Sequence, residues 1–211
     1  MRPEVSQKPK LQLPSIRRWL LRVHSDLFTI HENVPWWLGH YPRELTPVEK
    51  LTLLLEDRRF LAHHGFDIKS LFRDCFRAAT FRRHGGASTI DMQFVRTCTG
   101  YKQRTFKRKI YEIFLAVLLQ FRYSKVHILR SYLACAFFGS KLKGSEAAAR
   151  KLYGKRPDDL SVEEAAFLVS MLVYPRPLKP SDKWESRVQR RANYGVRLYV
   201  RYKERFDQLG S

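Results

Sequence analysis

From Thr46 onward, apolar residues return at three- and four-residue spacing in stretch after stretch, and nowhere do they alternate with polar residues over the length of a strand. That spacing gathers apolar side chains on one face of an α-helix, so a chain patterned this way buries a core by packing helices. The expected class is mainly α with a short β-hairpin. A length of 211 residues suits one core-forming domain. Charges break every apolar run well before the ~20 residues that cross a bilayer, and no signal-peptide core is legible, so neither a membrane span nor an export signal is expected.

The first strong helix signal is Thr46-Pro47-Val48-Glu49, in which Thr46 caps, Pro47 suits the first turn and Glu49 closes a capping box. The helix is expected to run to about Arg59, with Val48, Leu51, Leu54 and Leu55 buried and Glu56 at the rim of the core. It leads into Glu56-Asp57-Arg58-Arg59-Phe60-Leu61-Ala62-His63-His64-Gly65-Phe66-Asp67, where adjacent acids, paired histidines and a chain-reversing glycine crowd together. A carboxylate partly shielded from water at such a rim suits a general base.

Around this stretch the chain divides by composition. Residues 1–14 read as a basic disordered arm. Residues 15–44 form an amphipathic segment with Trp19, Trp36 and Trp37 among arginines, which suits either a membrane surface or a packed helix. The core is expected over 45–180, and 181–211 as a basic helix packed on it. Within the core, Ile68, Leu71, Phe72, Cys75 and Phe76 share one face of an expected helix. Gly85 and Gly86 sit in a loop leading to a helix that Ser88 or Thr89 can cap, a geometry able to hold an anion. From Thr105 to Phe121 the spacing predicts a helix whose core side carries Phe106, Ile110, Ile113, Phe114, Val117 and Phe121. Arg108, Lys109, Glu112 and Ala116 then fall on another face, which spacing alone assigns to solvent, with the cleft wall as the alternative. Ser124 caps the next helix, Gly139 and Gly144 bound a short loop, and Leu160-Ser161-Val162-Glu163-Glu164 is a second capping box, which gives Glu164 a structural role.

Forty Lys and Arg against twenty Asp and Glu give a net charge of +20. A polyanionic partner follows: nucleic acid, an anionic membrane surface or a phosphorylated substrate. Cys75, Cys98 and Cys135 match no metal spacing and read as buried thiols.

In their order along the chain, five blocks resemble the peptidoglycan glycosyltransferases, the glycan-polymerising domain of class A penicillin-binding proteins and of monofunctional transglycosylases. They are Glu56-Asp57 with Phe60, His63, Gly65 and Asp67; Gly86-Ala87-Ser88-Thr89-Ile90 with Gln93 and Arg96; Arg108-Lys109 with Glu112 and Ala116; Ser124-Lys125 through Ile128-Leu129 and Tyr132-Leu133 to Gly139, Gly144, Ala148 and Tyr153-Gly154-Lys155; and Leu160-Ser161 with Glu164-Ala165-Ala166, Pro175 and Pro180. The resemblance covers about residues 45–180. It implies a lysozyme-like helical fold that joins lipid II units into β-1,4-linked glycan with inversion. Glu56 would be the general base and Glu112 the second catalytic acid. Asp57, Phe60, His63, Ser88, Thr89, Gln93, Arg96, Arg108 and Lys109 would hold substrate. It also implies a divalent cation, Mg or Mn, near Glu112, with no organic cofactor. The implied partners are lipid II, the growing glycan strand, an anionic membrane surface and other cell-wall synthesis proteins, at the outer face of the bacterial cytoplasmic membrane. The helix after the first block would touch that membrane.

The sequence departs from the family pattern at Ala134, where an Asn is usual, at Gln120, where a Glu is common, and at Asp91-Met92. It is also expected to lack the N-terminal anchor and the transpeptidase domain. Ala134 and Gln120 motivate an alternative, a non-catalytic scaffold that binds lipid II or cell-wall partners. A nucleic-acid face is the weaker rival, since it gains nothing from acids placed among its cations.

Overall fold

The structure, a computed structural model, describes residues 15–35, 44–67, 88–101, 103 and 105–207, with side chains described through 202. The expected basic arm, Trp36 and Trp37, Cys75, the expected helix from Ile68 to Phe81 and the Gly85-Gly86 loop lie outside these residues. The described chain is helical: α1 (Ser15–Glu32), α2 (Pro47–Glu56), α3 (Ile90–Thr99), α4 (Phe106–Gln120), α5 (Lys125–Cys135), α6 (Ser145–Tyr153), α7 (Val162–Ser170) and α8 (Asp182–Asp207). A short antiparallel pair, β1 (Phe137–Gly139) and β2 (Leu142–Lys143), links α5 to α6. The hairpin sits where Gly139 and Gly144 bound the loop.

Local chemistry explains the helix starts. Thr46 and Glu49 form the reciprocal capping box of α2, Ser161 and Glu164 that of α7, and the side chains of Thr89, Thr105 and Ser124 accept from the first turns of α3, α4 and α5. Lys155 clamps Glu164 from outside at 2.8 Å, which together with its cap holds that carboxyl below the ordinary range. The core is built from these helices, with Leu51, Phe60, Phe94, Leu115, Ile128, Leu129, Leu168 and Met171 fully enclosed. The basic helix α8 lies along α7 and α2.

Two expectations need correction. Helix α2 stops at Glu56 instead of Arg59, because Asp57 leaves helical geometry (φ −154°, ψ 83°) and turns its carboxylate inward. The freed carbonyls of the last turn are taken by guanidiniums: Arg58 donates to Leu54 O at 3.1 Å and Arg191 to Leu55 O at 3.0 Å. The burial of α4 also departs from expectation. Its buried residues are Glu112, Leu115, Ala116 and Leu119, whereas Phe106, Ile110 and Phe121 are exposed at 75%, 52% and 84%. The Glu112 face therefore does not meet solvent, and the expected core stripe does so at Phe106, Ile110 and Phe121, while Ile113, Phe114 and Val117 are half-buried.

Helix α1 shares that outward face. Only Val23 and Ile30 of α1 are buried, while Ile16, Trp19, Leu20, Leu21 and Phe28 are exposed. Trp19 meets Phe114 of α4 with ring centroids 5.5 Å apart, and Tyr111 of α4 donates to Asp26 of α1 at 2.7 Å. Phe106, Ile110 and Phe114 repeat every four residues along α4, so Trp19 extends one apolar strip across the two helices.

Candidate active site

The geometry around Glu56 is set by the inward turn of Asp57. Asp57 Oδ2 accepts from His63 Nε2 at 2.9 Å and from the first-turn amide of Ile90 at 3.2 Å, which docks the end of α2 on the start of α3. The loop between returns at Gly65 with φ +82°; a Cβ there would lie 2.8 Å from the backbone of Ala116, so only glycine lets the loop touch α4. Ala116 is fully buried in this contact and does not form a cleft wall.

Docked this way, one face of α3 reaches both acids. Gln93 donates to Glu56 Oε2 at 3.4 Å, and its own carbonyl is fixed by Tyr132 Oη at 2.7 Å. One turn later Arg96 grips Glu112 through both oxygens, at 3.1 Å to Oε1 and 2.8 Å to Oε2. Residues three apart rise only ~4.5 Å along a helix, so the two carboxylates share one side of α3.

Their electrostatic settings differ. Glu56 keeps a little exposure, its side chain 10% accessible, and among the described residues pairs with a single guanidinium, Arg191 at 2.8 Å to Oε1. Glu112 is fully buried between two, since Arg108 Nε also lies 3.1 Å from its Oε1. That Arg108 N–H is not aimed at the oxygen and finds no acceptor, so the contact is an ion pair without a hydrogen bond. The Arg96–Glu112–Arg108 group carries a net positive charge. Ser88 Oγ accepts from Arg96 at 3.3 Å beside it, and burial beside the charge of Glu56 pushes the Tyr132 phenol up, which keeps it a neutral donor.

A family model described as transglycosylase matches residues 40–198. The chain belongs to the transglycosylase family. It is 32% identical over 170 residues to a biosynthetic peptidoglycan transglycosylase of Vibrio parahaemolyticus, covering 79% of this chain and 74% of the relative. Penicillin-binding protein 1A of Escherichia coli is 34% identical over 161 residues, and penicillin-binding protein 2D of Bacillus subtilis 35% over 140. The matches cover 75% and 65% of this chain, but the chain spans only 18% and 20% of those penicillin-binding proteins.

In this transglycosylase the residues expected to hold substrate fall into two groups. Ser88, Gln93, Arg96 and Arg108 remain partly accessible around the acids; Lys109, next to Arg108, is also partly accessible and forms no ion pair among the described residues. Asp57, Phe60, His63 and Thr89 are buried, with Thr89 Oγ1 donating to Gly65 O at 2.8 Å. These four hold the loop and the helix ends.

A divalent cation does not fit at Glu112, because both carboxylate oxygens face guanidiniums and a metal would have to displace Arg96 or Arg108. Three residues the motifs did not single out as functional also stand in the site: Arg191 on Glu56, Tyr132 on Gln93, and Lys125, which bonds Asp91 at 3.0 Å. Arg191 carries no local signal, since one arginine in a basic helix looks like any other.

Proposed function

We propose that this transglycosylase is a peptidoglycan glycosyltransferase that joins lipid II units into glycan strands. Glu56 takes the proton from the acceptor sugar hydroxyl. The freed oxygen attacks the anomeric carbon of the donor chain, a new C–O bond forms with inversion, and the bond to phosphate breaks with its electron pair leaving on the lipid diphosphate. Glu56 then returns its proton to solvent. Arg96 and Arg108, with Lys109 nearby, compensate the departing charge, so the leaving group needs no acid to protonate it.

The observation that carries this reading is the asymmetry of the acids. Glu56 keeps a little exposure and pairs with one guanidinium, whereas Glu112 is enclosed between two and organises a cationic pole on the same face of α3. A glycosidase cleaving an ordinary glycosidic bond would need one of its acids held protonated instead. The exposed apolar strip of α1 and α4, flanked by exposed Arg17, Arg18 and Lys107, suits the anionic membrane surface on which a lipid-linked substrate is presented. Among the described residues no helix is long and apolar enough to cross a membrane.

Glu56→Gln tests the reading. It keeps shape and hydrogen bonding but removes the basic lone pair, so polymerisation on a gel should fall ~10²-fold to 10⁴-fold while lipid II still binds. Near-normal polymer from this variant would overturn the assignment. Binding of lipid II by a wild type that never turns over would favour the scaffold alternative. Of the departures behind that alternative, Ala134 lines a separate cavity of about 800 Å³ beside Thr46 and Arg150, at the opposite end of α2 from Glu56.

A further inference from the structure

Behind Glu56 lies a buried cluster that the proposed chemistry does not use. Asp57, His63 and Asp91 bring one ligand atom each to within 4.8 Å of one another, a spacing that would serve a metal ion. The protein fills it with its own cation. Lys125 Nζ lies 3.0 Å from Asp91 Oδ2, 3.5 Å from His63 Nδ1 and 4.2 Å above the Phe60 ring. The other oxygen of Asp91, which is fully buried, accepts from the Gln120 side-chain amide. Two positions that depart from the family pattern, 91 and 120, are thus bonded to each other around this lysine.

The contacts form a directed chain. An ammonium only donates, so His63 Nδ1 must offer its lone pair and Nε2 must carry the proton it gives to Asp57. Asp57 in turn holds the Ile90 amide and is bonded covalently to Glu56. Burial lowers the Lys125 ammonium from its ordinary range and raises the Asp91 carboxyl, and each is opposed by the other's charge.

We propose that Lys125, held by Asp91 and Gln120, is a positioning residue for Glu56: its ammonium fixes His63, and through it Asp57, so that the base stays aligned with Gln93 and Arg96 on α3. The inference rests on the reading of Glu56 as the base. Misplacing a reacting group by about 1 Å costs ~10²-fold in rate, whereas the substrate-contacting side chains of α3 and α4 are left in place.

The test is Lys125→Ala in the full chain. At a temperature where circular dichroism shows the native fold, kcat should fall ~10²-fold with KM within about twofold of wild type. The vacated position should then accept Zn2+, which suits one imidazole with carboxylates. The variant should take up one equivalent more Zn2+ than wild type by calorimetry, and the metal should restore kcat by about tenfold or more. A wild-type kcat, or a loss that Zn2+ does not reverse, would overturn the proposal. Should Lys125→Ala fail to fold, Asp91→Asn keeps the shape and removes the charge that seats the ammonium: a ~10-fold lower kcat at unchanged KM is expected, and an unchanged kcat overturns it. A wild type without turnover sinks the functional reading instead, so the two failures are distinct.

Discussion

Removing the charge of Glu112 should weaken the fold and strengthen its grip on diphosphate. In Glu112→Gln the side chain remains enclosed, but two guanidiniums that faced one carboxylate lose it. Breaking a buried ion pair by removing one partner costs ~3–5 kcal/mol. Here the Arg96 side chain is 35% exposed and that of Arg108 17%, so water screens part of the loss and roughly 2–4 kcal/mol is expected. For a domain of this size that is a fall in Tm of roughly 4–16 °C. An anion that replaces the lost charge should recover much of it: if inorganic pyrophosphate binds the variant about tenfold tighter than wild type, the added stabilisation is ~1.4 kcal/mol, or roughly 3–6 °C more than wild type gains. Polymerisation should fall at the same time, because Arg96 and Arg108 lose the anchor that aims them. The assay is a thermal melt by circular dichroism with and without pyrophosphate, beside a glycan gel. An unchanged Tm would refute the buried pairing, and equal stabilisation of both proteins by pyrophosphate would refute the cationic pole.

Further outcomes are expected at Tyr132 and at the exposed apolar strip. Tyr132→Phe removes the hydroxyl that orients Gln93 and should lower turnover ~10-fold with the fold intact. Since the Tyr132 phenol is raised above its ordinary 10.0 in the folded state, its contribution is complete below that value and lost as pH rises through the higher folded one; melts of the variant should therefore be less alkali-sensitive than wild type. The exposed strip of α1 and α4 should hold the protein on anionic liposomes, with basic residues contributing about 1 kcal/mol each near the surface. Added salt should release it, and Trp19→Ser with Phe106→Ser should weaken retention; salt-insensitive binding, or none at low salt, would show that the strip is not a membrane face.

Helix starts were legible because a cap is a local event: Thr46 with Glu49 and Ser161 with Glu164 carry their partners within one turn. The end of α2 was not, because the group that recruits Asp57 is the Ile90 amide, 33 residues away. The acids themselves were legible from their motifs, but their settings were not. Arg96 reaches Glu112 from 16 residues away and Arg191 reaches Glu56 from 135, and no periodicity reports such pairings. The departure at Asp91 reads in sequence as a stray acid near a helix start; only with Gln120 and Lys125 beside it does it become one member of a buried group.

The enclosure of the Glu112 face of α4 has a physical cause. A helix with an apolar stripe and a charged stripe normally buries the first. Here the charged stripe contains Glu112, and the arginines that neutralise it come from α3 and from the preceding turn of α4 itself, so that face can be enclosed without leaving a bare buried charge. Enclosing it turns Phe106, Ile110 and Phe121 outward, where water leaves them exposed but a lipid surface would not. Each face then explains the other. On the proposed reading, the buried acid holds the arginines that would meet a diphosphate, and the outer apolar face would meet the lipid that carries it.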